Sequence, residues 1–374
     1  MAYCVLSFGT LEQWYSLDWS DSAPTSSCRS TILTAAESSP DGLTIIVRVR
    51  DPDLNPWEPS VDAASSASSS SSAAPLDRQR RLGGPTRHFL ALEQSLARLY
   101  SIATDSYVQR DLILATVDVV VEPLRRQPVC LPSHAPSFQW NYQEEAAVQA
   151  DTQHGKGKVA ASTNDHGPVP DLTSRSSDET AGPDRFPVVA LGGTFDHLHA
   201  GHKILLTMAA SLTTRKLIVG VTDDALLVNK KHRDLLEPLE VRTRHVERFV
   251  ALVRPEIECA CVPLQDVYGP TANDPEIEAL VVSEETRAGG DAINKLRAEK
   301  SLGVLHVFCI SLVADSAPPS SSPSSNPNSE DKAYSGTESA ATTGQVLVSP
   351  ATKMGSTGIR EWLARRKGRG EDRE

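Results

Sequence analysis

Apolar residues along this chain fall into short runs separated by polar turns, and the spacing within each run predicts its conformation. Val188-Val189-Ala190-Leu191 is a β-branched run that stops at Gly192-Gly193, as a parallel strand covered on both faces should. A helix is predicted from about His199 to Leu212, then a strand over Lys216 to Val221, with Thr222-Asp223-Asp224 capping a further helical turn. Pro238 to Leu252 reads as a helix with Val241, Val246, Phe249, Val250 and Leu252 inward, stopped near Pro255. Ile257 to Leu264 alternates into a third strand, and Asp266 to Thr271 forms a loop. Ala279 to Ser283 gives a fourth strand, Gly290 to Lys300 a helix, and Leu305 to Ile310 a fifth strand. Such alternation predicts an α/β fold with a doubly wound parallel sheet. Near the end, Lys353 to Leu363 holds a second glycine and hydroxyl turn that opens another helix.

The first half is less regular. Leu43 to Val49 predicts a strand, Phe89 to Ile102 a helix with Leu90, Leu92, Leu96, Leu99 and Tyr100 mostly on one side, and Leu112 to Val121 another strand. Ala63 to Ala74 is almost wholly Ser and Ala, a low-complexity stretch. The expected organisation is an N-terminal region of unassigned role over 1–142, a flexible linker over 143–185, a main domain over 186–366 with a disordered insertion at about 314–344, and a solvated tail over 367–374. No catalytic constellation stands out before the main domain.

The chain has 374 residues, ample for a large core, and a net charge of −11. That acidic balance excludes a generic nucleic-acid or anionic-membrane surface, while leaving room for a local basic pocket that holds a small phosphorylated molecule. No apolar run is long enough to span a bilayer, and the N-terminus lacks the pattern of a secretory signal. The six cysteines show no disulfide or zinc spacing; Cys259-x-Cys261 reads as strand packing, and no metal site is expected. A cytoplasmic, reducing environment fits.

The chemistry concentrates around the first glycine turn. Gly192 and Gly193 let the backbone pass close to a ligand, and His199 and His202, three apart, fall on the first turn of the following helix, where unpaired N–H groups attract phosphate. Lys230 and Lys231 follow the second strand on the side where ligands collect in open parallel sheets. Imidazoles, lysines, arginines and helix starts together suit stabilisation of charge on a transferring nucleotidyl group.

Gly193-Thr194-Phe195-Asp196 and His199-Ala200-Gly201-His202 resemble the H/T-x-G-H signature of the nucleotidylyltransferase superfamily, and Gly355-Ser356-Thr357-Gly358-Ile359-Arg360 its later I-S-S-T-x-I-R signature. Asp266-Val267-Tyr268-Gly269-Pro270-Thr271, Val281 to Thr286 and Gly289 to Asn294 are similar to the eukaryotic and archaeal type of the phosphopantetheine adenylyltransferase family. The resemblance covers about Phe186 to Leu363. It implies a Rossmann-like nucleotidyltransferase of coenzyme A biosynthesis that binds ATP, accompanied by Mg²⁺, and 4′-phosphopantetheine, releasing dephospho-coenzyme A and pyrophosphate. No nucleic acid or membrane partner is implied, and association with other coenzyme A biosynthetic enzymes is allowed.

Carried over by position, the resemblance makes His202, His199, Lys230 and Lys231 the catalytic set. Gly193, Thr194, Phe195, His199, Gly201, His202, Ser356, Thr357 and Arg360 would bind ATP; Thr194, Asp196, Lys230 and Arg287 would bind the acceptor. His202 would stabilise the α-phosphoryl transition state, and either Lys230 or Lys231 would neutralise phosphate. Met354-Gly355 departs from the usual Ile-Ser, removing one hydroxyl. Rival readings are a cytidylyltransferase acting on a phosphorylated alcohol and a catalytically silent scaffold of coenzyme A synthesis. With no G-x-x-x-x-G-K-[ST] loop present, a single activity and a separate kinase are expected.

Overall fold

The computed structural model describes residues 1–17, 26–50, 89–143, 146, 185–310 and 355–371. The Ser/Ala tract at 63–74, nearly all of the expected linker, the insertion at 314–344, and Lys353 and Met354 lie outside these residues.

The N-terminal half builds a four-stranded parallel sheet from β1 (Ala2–Phe8), β2 (Gly42–Val49), β3 (Thr116–Val121) and β4 (Ser137–Asn141), in the order β3-β2-β1-β4. Helices α1 (Leu11–Tyr15), α2 (Ser26–Glu37) and α3 (Phe89–Gln109) accompany it. α3 runs beyond the expected Ile102 because its apolar stripe continues with Ala103 and Tyr107, both buried. Leu90 corrects the expected inward set: it is 49% exposed, since Phe89, Leu92, Leu96 and Tyr100 fix the buried face and Leu90 falls off it. β3 starts at Thr116 rather than Leu112; Asp111, in the left-handed region at φ 59°, turns the chain, and Leu112 and Ala115 close the turn by backbone bonds.

The second sheet contains β5 (Phe186–Gly193), β6 (Thr213–Thr222), β7 (Glu258–Leu264), β8 (Ala279–Ser283) and β9 (His306–Ile310), all parallel in the order β7-β6-β5-β8-β9. Its helices are α4 (Ala200–Leu212), α5 (Leu239–Val253), α6 (Arg287–Glu299) and α7 (Ser356–Glu371). Along β5, Val189 and Leu191 join the large core on the α4 and α5 side, whereas Val188 and Ala190 join a smaller core with Leu280 and Ile293 on the α6 side. A sheet buried on both faces is the doubly wound α/β architecture expected from its continuous apolar runs. α6 begins at Arg287, three residues before expectation, and Gly290 lies inside it; a Cβ there would come within 3.1 Å of Val307. On α5, Val241 and Leu252 are only half-buried, and the fully buried Arg242 takes an inward position beside Val246, Phe249 and Val250.

One apolar core runs through both sheets. The Phe308 ring lies 5.4 Å from Phe89 of α3 and 5.7 Å from Phe186 of β5, and α3 packs on α4. Arg125 donates to Leu252 O, and Trp362 Nε1 of α7 donates to Asp111 Oδ1 at 2.6 Å. Among the described residues no helix is long and apolar enough to cross a membrane.

Candidate functional site

In the second sheet the chain passes from β5 to β6 on one side and reaches β8 on the other. The strand ends at β5 and β8 therefore form a topological switch point, where open α/β sheets bind ligands. Gly192 and Gly193 close β5 at this edge, and the connection to α4 bends sharply, with Phe195 and His197 both at positive φ (52° and 45°). Gly193 leaves room here: the Phe195 ring folds back over it, and a Cβ would meet that ring at a tight 3.1 Å.

His199 is the N-cap of α4 and makes no side-chain cap bond; His202 stands in the first turn. Their ring centroids are 3.9 Å apart, and the buried Phe195 ring backs His202 at 5.2 Å. Each residue keeps some solvent contact, yet both Nδ1 atoms are buried without a hydrogen-bond partner among the described residues. Burial, then the Lys203 and His197 charges, lower the His199 pKa from 6.5 to about 3; burial and His199 push His202 well below its ordinary value. The site therefore holds two neutral imidazoles at a helix start whose first N–H groups have no intrahelical acceptor. This combination suits an anion that accepts hydrogen bonds.

Arg242 holds the neighbouring strand ends. Wholly buried, it donates from Nη1 to Thr194 O (2.7 Å) and Thr222 O (2.9 Å), from Nε to Glu237 O (2.8 Å), and pairs with Asp224 at 2.5 Å. Thr222 Oγ1 also donates to Gly193 O at 3.1 Å. Sequence reasoning missed Arg242, because a charged residue within a helix reads as solvent-facing and its partners lie on other elements.

The late turn is brought to the same edge. Ser356 Oγ donates to Asp196 O at 2.8 Å, and the Arg360 guanidinium pairs with Asp196 Oδ2. Arg360 also donates to Lys231 O (3.0 Å) and Thr357 Oγ1 (3.2 Å), while Asp196 Oδ1 accepts the Glu237 N–H at 2.9 Å. Asp196 is fully buried and engaged by protein groups, and its carboxylate pins α7. Arg360, 2% exposed, is the other half of that pin. Phe195 has its side chain wholly buried and packs beneath His202.

The remaining cations stay at the surface. Lys231 pairs with Glu361 of α7 at 2.6 Å, and this bond holds the Glu361 carboxyl below its ordinary range. Lys230 is exposed with no side-chain partner among the described residues. Arg287, also exposed, opens α6 beyond β8, 3.5 Å from Glu284. Asp196, His197 and Glu237 bring ligand atoms within 4.8 Å of one another, but they do not fit a metal ion: the Asp196 oxygens are committed, and His197 Nε2 donates to Leu235 O at 2.8 Å.

Residues 190–324 match the Cytidylyltransferase-like family model. The chain is 36% identical to phosphopantetheine adenylyltransferase of Saccharomyces cerevisiae over 59% of its own length and 71% of that protein. It is 41% identical to phosphopantetheine adenylyltransferase of Methanopyrus kandleri over 35% of this chain and 82% of that one, and 40% identical to that of Pyrobaculum aerophilum over 35% and 83%.

Proposed function

The chain belongs to the phosphopantetheine adenylyltransferase family, and from that membership we infer that it transfers the adenylyl group of ATP to 4′-phosphopantetheine in coenzyme A biosynthesis. The acceptor's phosphate oxygen attacks the α-phosphorus, a P–O bond forms, the bond to the β-phosphate oxygen breaks, and pyrophosphate leaves. An anionic phosphate needs no general base, so the protein's work is alignment and charge stabilisation. We assign this reaction to residues 186–366.

The observation that carries this reading is the pair of neutral imidazoles, His199 and His202, with unpartnered buried nitrogens at the α4 N-terminus. A neutral imidazole presents one N–H donor, which strengthens as charge grows on the α-phosphoryl oxygens; His202 has the central role and His199 the adjoining one. Gly193, Thr194 and Gly201 line the phosphate path. Lys230, whose ammonium has no partner among the described residues, is the lysine we assign to phosphate; Lys231 is held by Glu361. Thr357, whose oxygen accepts from Arg360, retains its own proton for the leaving phosphates, and Ser356 sets the α7 start by its bond to Asp196 O. Arg287 is an exposed cation beside the switch point for the acceptor. Mg²⁺ accompanies ATP and would neutralise its phosphates; the Asp196, His197 and Glu237 group does not hold it. The six free thiols agree with the cytoplasmic setting we assign.

Incubating the full-length protein with 4′-phosphopantetheine and either ATP or CTP tests this reading. Dephospho-coenzyme A and pyrophosphate are expected with ATP. A preference for CTP would replace the reading with a cytidylyltransferase, and no product from either nucleotide with a silent scaffold.

A further inference from the structure

The residue that follows His202 leaves the catalytic sheet altogether. Lys203 is the fourth residue of α4, its side chain is 6% exposed, and its ammonium crosses to the edge strand of the N-terminal sheet. There it donates to Val117 O at 2.8 Å and pairs with Asp118 Oδ1 at 2.7 Å, both on β3. The Phe249 ring of α5 lies 5.7 Å from the same nitrogen. Asp118 is itself buried, the one charged residue in a strand otherwise made of Val and Thr. An ammonium buried this deeply is held wherever its counter-charge stands.

The consequence falls on the helix start. Lys203 N makes the opening backbone bond of α4, to His199 O at 3.0 Å, so Lys203 and His199 stand one turn apart on the same face. His202 is the adjacent residue. Fixing Lys203 against β3 sets the rotation of this first turn about the helix axis, and with it the direction of both imidazoles.

We propose that Asp118 is a positioning residue of the adenylyl-transfer centre, acting through Lys203 to hold α4 at the rotation that aims His199 and His202 at phosphate. This rests on the adenylyl-transfer reading for its kinetic consequences, not for its geometry. Misplacement of catalytic groups by about 1 Å can cost about 10²-fold in rate, and a rotated helix start retains its amides, so turnover suffers more than binding.

The test uses the full chain at a temperature where every variant is folded. Asp118→Asn is expected to lower kcat about 10-fold, with KM for ATP and 4′-phosphopantetheine changed by less than about 2-fold. In a Lys203→Met background the same Asp118→Asn change is expected to alter kcat by less than about 2-fold, because the link is already cut. Unchanged kcat, an equal cost in both backgrounds, or a loss carried by KM would overturn the proposal. Should Asp118→Asn not fold, Asp118→Glu, which keeps the charge but moves it by one methylene, is read against the same outcomes. Imidazole NMR resonances give a reading independent of turnover: those of His199 and His202 shift in the Asp118 variant while His306, at the opposite end of the sheet, stays in place. Unmoved His199 and His202 resonances would overturn the proposal, even if the wild-type chain released no pyrophosphate and the functional reading had failed separately.

Discussion

Two imidazoles 3.9 Å apart cannot both carry charge in a buried setting, and this pair resolves the conflict by remaining neutral. Neutrality suits donors that must not trap pyrophosphate, because an N–H group gains most as negative charge grows in the transition state. His202→Ala is therefore expected to lower kcat by about 10²-fold or more, with the melting temperature nearly retained. Steady-state kinetics beside a thermal melt would check this, and near-normal turnover in the folded variant would remove His202 from its role. The same neutrality links stability to pH. In the unfolded chain His199 titrates near 6.5, whereas in the fold it titrates at about 3, so between these values only the unfolded chain binds the extra proton. The stability this ring contributes is complete above about pH 6.5 and falls as the pH drops toward 3. Melting temperatures measured from pH 7 to pH 5 should decrease, and His199→Asn, which has no proton to gain, should flatten that slope. Parallel slopes in the two proteins would show that His199 is not the coupled group.

At the scale of elements, the docking of α7 depends on a buried ion pair between residues 164 apart in sequence, Asp196 and Arg360. Breaking a buried pair leaves a charge without compensation and costs about 3–5 kcal/mol. Arg360→Met should accordingly destabilise the protein by an amount in that range in denaturant unfolding, and raise KM for ATP as the Ser356 and Thr357 turn loosens. A stability change under about 1 kcal/mol would class the pair with surface bridges. The two lysines separate in the same region: Lys230→Ala should reduce kcat/KM about 10-fold or more, whereas Lys231→Ala, which loses an exposed pair with Glu361, should change it by less than about 3-fold. The reverse order would exchange their roles. Helices and strands here were legible in the sequence because burial imposes a period, and the runs from Val188 to Leu191 and from Ala279 to Ser283 carry it plainly. The glycine turn and its histidines were legible because that chemistry needs those residue types close together in sequence. Arg242 and the Asp196–Arg360 pin were not. A buried charge gives no periodic signal of its own, and its partners are distant in sequence, so an anchoring arginine and a phosphate-binding arginine look alike until the fold is known.

For the whole molecule, the question is what the first half contributes. Its strand order, β3-β2-β1-β4, repeats that of the first four strands of the catalytic sheet, β7-β6-β5-β8, and its central strand likewise ends in a Gly-Thr step, Gly9-Thr10. In the N-terminal sheet, however, the amides that could face a phosphate are occupied from within: Gln13 Oε1 accepts from Gly9 N at 2.8 Å and from Thr10 N at 3.2 Å. No histidine follows that step as His199 and His202 follow Gly193-Thr194. What the half does supply is surface, since Phe89, Leu92 and Leu96 of α3 belong to the same core as Ile204, Leu205 and Met208 of α4. Removing 1–142 would expose that face of α4 and leave Lys203 without Asp118, coupling a loss of apolar burial to an unpaired buried charge. A chain of residues 186–374 is therefore expected to unfold without a cooperative transition and to show turnover at least about 10²-fold below the full protein. Circular dichroism melts and pyrophosphate release measured on the two proteins together would decide it. Cooperative unfolding with equal kcat in the shorter chain would make the first sheet a separate module, joined to the catalytic one only by contact.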